Sequence, residues 1–341
     1  MHLRYRLLLT PLTLLVIAAP GSGLAQERTA TPAAPAATPA SGSEVAVVWQ
    51  IYGGPDRSFD DPFQLAIDSK GNLWVADGQN SRFQIFAPDG TFLDSWGTPG
   101  RGEGEFDFTN QDRDPSGAVA FDPAGNIYVA DPGNHRVQKF DPNRLFLSSW
   151  GSEGTGPGQF LHPYDIAIDA VGRVYVIDDG RDDIQVFDGH GQLLATIAGP
   201  GIGEGRLFDT GSLAIAPDGS VWVADWGNYR VQKFSPDGAF LLAIGEPGLT
   251  EGTFNGPVDV AVDPQGHVFV VDTGNYRVQV FDQDGRFLTA FGSYGTDAGE
   301  FATPVGIAVD ADGNLYVSDA GLDRVTRFAL GPIANAGTPI P

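Results

Sequence analysis

The sequence predicts an all-β fold, a six-bladed β-propeller of four-stranded antiparallel blades, from three observations. Glycine and proline are frequent, with 46 and 25 of the 341 residues, which is more than a helical protein tolerates. One pattern of alternating apolar residues and turn residues recurs six times along the chain. Each unit is about 47 residues long and holds four short strand patterns, which is the size of one propeller blade.

The repeat is located by its turn glycines and by the aspartates that end its second strands. The glycines are separated by 54 residues once and then by 47 residues four times, and the aspartates keep the same intervals. One unit therefore recurs, with a seven-residue insertion at about Asp107 to Arg113. The glycines are Gly71, Gly125, Gly172, Gly219, Gly266 and Gly313, and the aspartates are Asp77, Asp131, Asp178, Asp225, Asp272 and Asp319.

Runs such as LWVAD, IYVAD and VFVVD alternate with period two and are rich in β-branched and aromatic residues, so we assign them to strands. Asp-Gly dipeptides at 89–90, 237–238 and 284–285 indicate tight hairpins. No unit has the pattern of two helices, which excludes a helical solenoid.

The ring is predicted to close through the N-terminal strand. The sixth repeat ends after its third strand, RVTRFAL, and lacks an outer strand. The segment Val45 to Gly53, VAVVWQIYG, matches the outer-strand sequences FLDSWG, FLSSWG and FLTAFG. We therefore expect it to complete the last blade, which leaves no exposed sheet edge.

Four segments make up the predicted domain organisation. Residues 1–25 have the basic start, apolar stretch and small-residue end of an export signal, and an uncleaved anchor is the alternative. A Pro/Ala/Thr linker at 26–44, the propeller at 45–330 and a flexible tail at 331–341 follow. The chain has no cysteine, which excludes a lipidated mature N-terminus and disulfides.

The charge of the chain narrows the classes of partner. The net charge is −23, and loss of Arg4 and Arg6 with the signal brings it to −25. Such a charge repels phosphate backbones and anionic lipids, so we expect no nucleic-acid partner. We expect a secreted or cell-envelope monomer with no transmembrane segment once the signal is removed.

The repeat motif A-x-D-x-x-G-N-x-Y-V-A-D-x-x-N-x-R-V-Q-x-F resembles the NHL repeat. The second unit, AFDPAGNIYVADPGNHRVQKF, follows it closely, and the resemblance covers Val45 through Leu330. It implies a six-bladed ring with ligands on one face or in the central channel, and it implies no particular reaction.

Strand order places the loops before each first strand and between second and third strands on one face, called the top face below. Exposed aromatic residues there favour a protein, peptide or glycan partner, although packing between blades would explain them equally well. The predicted ligand-binding residues are His135, Tyr164, Trp226, Tyr229 and Tyr276.

Recurring aspartate and arginine pairs join the second and third strands, and their regularity favours a structural role over catalysis. They are Asp77 with Arg82, Asp131 with Arg136, Asp225 with Arg230, Asp272 with Arg277, and Asp319 with Arg324. Blade three has Asp183 in the arginine position. Its loop at 178–183 therefore reads as an acidic patch, which either binds a cation or is only solvated.

The central channel is predicted to be lined by the first residue of each innermost strand. Two carboxylates with polar neighbours could hold Ca²⁺ there, and a water-filled channel is the alternative. The predicted metal-binding residues are Gln64, Asp165, Ser212 and Asp259, with Ala118 and Gly306 completing the ring.

Enzyme functions find less support than binding. Amidating lyases related to NHL propellers hold zinc at Pro-His pairs, whereas Pro163 is followed here by Tyr164, and no other innermost strand begins with Pro-His. The channel also lacks the Glu and Asn of lactonase-like propellers, and no Gly-x-Ser-x-Gly elbow is present. We predict a binding propeller, with a metal-dependent lyase or hydrolase at the channel mouth as the alternative.

Overall fold

A computed structural model describes residues 45–54, 57–109 and 116–333. Within these residues the fold is all-β, with six four-stranded antiparallel sheets, as the sequence predicts. The innermost strand of each sheet contacts that of the next, and blade six contacts blade one, so the sheets form a closed ring. The predicted signal, linker and most of the tail lie outside the described residues.

The first three blades follow one another in sequence order from the innermost to the outermost strand. Blade one consists of Pro62–Ile67, Leu73–Asp77, Arg82–Phe86 and Phe92–Trp96. Blade two consists of Ala118–Phe121, Ile127–Asp131, Arg136–Phe140 and Phe146–Trp150. Blade three consists of Pro163–Ile168, Val174–Asp178, Asp183–Phe187 and Leu193–Ile197.

Blades four and five repeat this order, and blade six borrows its outer strand. Blade four consists of Leu213–Ile215, Val221–Asp225, Arg230–Phe234 and Phe240–Ile244. Blade five consists of Pro257–Val262, Val268–Asp272, Arg277–Phe281 and Phe287–Phe291. Blade six consists of Pro304–Val309, Leu315–Asp319, Arg324–Leu330 and Val45–Ile51.

Short elements connect the blade strands. One antiparallel pair joins Gly53–Gly54 to Arg57–Ser58, and one parallel pair joins Thr98–Pro99 to Glu105–Phe106. Single 3-10 turns lie between second and third strands at Gly78–Asn80, Pro132–Asn134, Trp226–Asn228, Thr273–Asn275 and Ala320–Leu322.

The N-terminal strand closes the ring as predicted. It pairs antiparallel with the last strand, with Val47 opposite Phe328 and a bulge before Trp49. The Trp49 indole donates a hydrogen bond of 3.2 Å to the carbonyl of Pro88 in blade one. Its ring lies 5.7 Å from that of Tyr316, so the closing strand packs on both blades that it joins.

The core lies between the blades. Every residue of the second strands is buried, because each strand is covered by a neighbouring sheet on both faces. Aromatic side chains from successive blades interdigitate, and Trp96 of blade one meets Phe140 of blade two edge-on at 4.8 Å. This burial of apolar surface holds the ring together.

Candidate functional site

The top face is built by two sets of loops that bind each other. In blade four the Gly227 amide, in the turn between second and third strands, donates to the Phe208 carbonyl before the first strand, at 2.9 Å. Blade five repeats the bond from Gly274 to Asn255, also at 2.9 Å. Both loop types therefore share one face of the ring.

Each top-face turn ends on a residue in the left-handed conformation. These residues have φ between 47° and 56°, and none of them is glycine. A side chain in this region is disfavoured, so glycine would relieve strain. The six side chains differ in kind: Ser81, His135, Asp182, Tyr229, Tyr276 and Asp323.

A buried aspartate anchors each turn, and blade four shows the pattern. The Asp225 carboxylate accepts hydrogen bonds from Arg230 Nε at 2.7 Å and Gln232 Nε2 at 2.9 Å. Arg230 also donates to the carbonyls of Gly203 and Arg206, in the loop that arrives from blade three. Burial raises the pKa of Asp225, although its hydrogen bonds and Arg230 act in the opposite direction.

Four of the five predicted aspartate–arginine pairs are ion pairs at 2.7 to 2.8 Å, namely Asp77–Arg82, Asp131–Arg136, Asp225–Arg230 and Asp272–Arg277. In blade six Arg324 lies opposite Asp319 in register, but it donates to the carbonyls of Thr296, Asp297 and Glu300. Asp319 accepts the amides of Ala302 and Thr303. All five arrangements tie blade strands to loops.

The acidic patch expected in blade three is not found. Arg181 supplies the guanidinium that the arginine of the other blades provides. Its guanidinium donates to the carbonyls of Gly156 and Gln159 and pairs with buried Asp183 at 2.7 Å. Asp178 accepts the amides of Leu161 and His162, and burial raises its pKa to about 6. These carboxylates are engaged within the protein.

The prediction that Tyr164 lies exposed on the top face is wrong, because its side chain is only 6% exposed. Its ring meets Phe63 edge-on at 5.4 Å, although blades one and three are not neighbours. The contact therefore lies at the ring axis, where innermost strands converge. Val258 and Val305, at the matching positions of blades five and six, belong to the same apolar cluster. This apolar plug closes the channel mouth.

The other predicted aromatic residues reach the surface to different degrees. Tyr229 is 39% exposed, and the other three are half-buried. Trp226 packs so closely on Gly256 that a Cβ added there would lie 2.7 Å from its Nε1. Tyr276 meets Tyr294 at 4.9 Å, and His135 Nδ1 lies 2.8 Å from the Leu161 carbonyl oxygen.

The channel carboxylates are buried and hydrogen-bonded across blades. Asp165 accepts Gln64 Nε2 at 2.7 Å and the Leu213 amide of the next blade at 2.9 Å. Burial raises the pKa of Asp165 to about 6.

The carboxylate of Asp259 in blade five repeats this arrangement and links blades four and six. It accepts the Ser212 hydroxyl and the Ile307 amide, the latter at 2.7 Å. Burial, and then the charge of Asp165, raise the pKa of Asp259 well above its ordinary value.

The predicted Ca²⁺ site does not fit these residues. Calcium takes about six to eight oxygen ligands that must face the ion. Here every carboxylate oxygen of Asp165 and Asp259 already accepts a hydrogen bond from a protein donor, and so none is left facing an ion. Among the described residues no group of three or more His, Cys, Asp or Glu side chains could hold a metal ion.

One constellation was not anticipated from the sequence. Ser116 Oγ lies 3.1 Å from His162 Nε2, and His162 Nδ1 lies 2.6 Å from Asp179 Oδ1. The distances match a nucleophile, base and orienting acid. However, Ser116 is only 1% exposed, so we interpret these hydrogen bonds as a structural link between blades two and three. Its residues are far apart in sequence, and no elbow motif marks them.

The similarity of this chain to known proteins lies in its repeat units. The NHL repeat family matches residues 113–140, 211–234 and 254–281, and each match spans a second and third blade strand. The chain is an NHL-repeat protein. Within its described residues, no helix is both long and apolar enough to cross a membrane.

Two curated relatives match this NHL-repeat protein over part of its length. Human NHL repeat-containing protein 3 is 29% identical over 121 residues, which cover 32% of this chain and 33% of the relative. Peptidyl-glycine alpha-amidating monooxygenase B of Xenopus laevis is 36% identical over 115 residues, which cover 31% of this chain and 12% of the relative. The matches thus span a third or less of each relative.

Solved structures share the fold at low identity. A gluconolactonase of Xanthomonas campestris superposes with a TM-score of 0.58 at 15% identity, covering 80% of this chain and 88% of that one. Virginiamycin B lyase of Staphylococcus aureus superposes with a TM-score of 0.56 at 10% identity, covering 84% and 99%. At such identities the likeness shows the propeller fold alone.

Proposed function

We propose that this protein is a secreted or envelope-associated binding propeller whose top face engages a protein, peptide or glycan partner. The export signal and linker predicted at 1–25 and 26–44 support the location. The six left-handed turn residues carry the proposal, because each keeps a side chain where glycine would cost less. Strained positions that keep varied side chains on one face favour a binding role.

The competing proposal is a metal-dependent lyase or hydrolase at the channel mouth. It draws support from the partial match to an amidating monooxygenase and from the fold shared with lyases and a gluconolactonase. Against it, Phe63 and Tyr164 close the mouth with apolar rings, and Asp165 and Asp259 have protein donors on their oxygens. We therefore favour binding at the loops.

Capture experiments with matched variants test the proposal. The immobilised protein is exposed to secreted and envelope fractions of producing cells and to a glycan array. We expect a partner that the wild type retains, and that Tyr229→Ala and the triple variant Trp226→Ala, Tyr229→Ala, Tyr276→Ala lose. The control triple variant Leu93→Ala, Leu147→Ala, Leu194→Ala removes exposed outer-strand leucines and should retain it.

Two results would count against top-face binding, provided that circular dichroism shows every variant folded. One is equal retention by the wild type and the top-face variants. The other is a stoichiometric metal in elemental analysis together with calcium- or zinc-dependent melting, which would favour the lyase or hydrolase.

A further inference from the structure

An aliphatic residue and a tyrosine recur together on the top faces of blades four and five. Ile202 is 80% exposed and Leu249 is 75% exposed, and they lie 47 residues apart in equivalent loops. Tyr229 and Tyr276 follow them by 27 residues in each case. Both residues are more exposed than the outer-strand leucines Leu93, Leu147, Leu194 and Leu241, which are 50–55% exposed.

Hydrogen bonds fix each pair in place. The carbonyls on both sides of Ile202, those of Gly201 and Gly203, accept Asn228 and Arg230, which flank Tyr229. Blade five repeats the arrangement, since the carbonyls on both sides of Leu249 accept the residues that flank Tyr276. The aliphatic residue and the tyrosine are therefore presented by one rigid unit in each blade.

The two units lie in neighbouring blades and form a strip along the top face. The backbone of Tyr229 lies beside Gly245, where the loop that carries Leu249 begins. Beyond Tyr276 the strip continues to Tyr294, which is 67% exposed. We call this strip the apolar arc and define it as Ile202, Tyr229, Leu249, Tyr276 and Tyr294.

The same positions in blades two, three and six are polar. In blade two, Asn134 and Arg136 donate hydrogen bonds to the carbonyls of Gly100 and Gly102. These bonds identify Arg101 and His135 as the equivalent residues. By the repeat spacing, blade three has Thr155 and Asp182, and blade six has Thr296 and Asp323. The two aliphatic–tyrosine pairs of the apolar arc are therefore a local feature of blades four and five and not a requirement of the fold.

Acidic residues surround the apolar arc. The loops that carry its aliphatic residues and Tyr294 expose the carboxylates of Glu204, Glu246, Glu251 and Asp297, against one exposed cation, Arg206. Such a field attracts cationic partners and repels anionic ones.

The chemistry of the apolar arc also separates the partner classes. Sugars stack on flat aromatic rings, whereas branched aliphatic side chains gain free energy by covering other apolar side chains. Ile202 and Leu249 are the most exposed members of the arc, which favours a polypeptide over a glycan.

We propose that the apolar arc binds a polypeptide segment that combines apolar anchor side chains with lysine or arginine. The proposal rests on top-face binding and narrows it to one partner chemistry. The apolar side chains would cover Ile202 and Leu249 beside their tyrosines, and the basic residues would face Glu246 and Glu251.

Fluorescence anisotropy with synthetic peptides tests this proposal on the intact protein. Three peptides of equal length are compared: leucine and phenylalanine with lysine, the same apolar residues with glutamate, and serine with lysine. Cello- and chito-oligosaccharides serve as glycan probes. We expect measurable affinity for the apolar basic peptide, weakened by salt, and at least about tenfold weaker binding of the other two.

Matched variants locate the site. Ile202→Ser with Leu249→Ser should weaken the apolar basic peptide by about tenfold or more. Leu194→Ser with Leu241→Ser changes two exposed outer-strand leucines in the same way and should leave the affinity unchanged. Glu246→Gln with Glu251→Gln should reduce both the affinity and its salt dependence.

Three outcomes would overturn the proposal: equal affinity for the apolar acidic peptide, unchanged affinity in the Ile202 and Leu249 variant, or binding of oligosaccharides without peptides. Top-face binding would survive any of them if the capture experiment still depended on Tyr229. It would fail by itself if capture did not depend on the top-face residues.

Discussion

Replacing Asp225 by alanine is expected to lower the free energy of unfolding by about 3–5 kcal/mol, the usual cost of removing one partner from a buried ion pair. Its carboxylate is fully buried and accepts Arg230, Gln232 and the Phe208 amide. The variant leaves the Arg230 guanidinium without its anion and the Phe208 amide without its acceptor. Urea unfolding followed by tryptophan fluorescence measures the loss.

A surface aspartate of the same blade provides the control. Asp237 lies exposed in the hairpin between third and fourth strands. Asp237→Ala should change the free energy of unfolding by no more than about 0.5 kcal/mol. Similar losses in both variants would mean that the buried anchor contributes no more than a surface charge.

Stability is expected to increase as the pH falls from 7.5 to 5. Burial raises the pKa of Asp165 in the folded protein to about 6, above its ordinary value of 3.8. The folded state therefore binds more protons than the unfolded state in this window, so the free energy of unfolding falls as the pH rises. The contribution is fully present below about pH 3.8 and is lost as the pH rises through about 6. Its full size is about 3 kcal/mol, of which about 1.4 kcal/mol is lost between pH 5 and 7.5.

Melting temperatures at pH 5 and 7.5, at constant ionic strength, measure this dependence. We expect the wild type to melt several degrees higher at pH 5, because each kcal/mol of added free energy of unfolding raises the melting temperature by about 2–4 °C. The side chain at 165 cannot titrate in Asp165→Asn, so this variant should show a smaller difference in melting temperature. Asp178 and Asp259, whose pKa values are also raised, should preserve part of the difference. A wild type that melts lower at pH 5, or a variant with the same difference, would contradict the assignment.

The fold was predictable because its signals are local and repeated. Alternating strands, turn glycines at fixed spacing and the orphan third strand of blade six determine the blades and their closure without knowledge of side-chain contacts. Matching the segment around Trp49 to the outer strands identifies the closing strand but misses its register by one residue. The match places Val48 opposite Phe328, whereas the structure pairs Val47 with Phe328.

The acidic composition also has a structural explanation that the repeat motif contains. Asp122 accepts the amides of Ala124 and Asn126 at 2.9 Å, and Asp310 repeats this with Asp312 and Asn314. These side chains stabilise the turns between first and second strands. Part of the negative charge of the chain therefore serves its hairpins.

The candidate site was less predictable, because its features depend on where blades meet. Tyr164 was expected on the surface but is buried, since strands from non-adjacent blades converge at the axis. In blade three the loop is bound by Arg181, which lies two residues before the position that arginine occupies in the other blades. The repeat spacing alone does not reveal this substitution. Ile202 and Leu249 carry no motif, and only their loop geometry and exposure distinguish them.

Hydrogen–deuterium exchange of the protein, alone and with its captured partner, tests top-face binding most directly. Top-face binding predicts slower exchange at 226–230 and 273–277 and in the loops at 199–207 and 246–254. Protection confined to the outer strands, or to the hairpin turns at 237–238 and 284–285 on the opposite face, would contradict it.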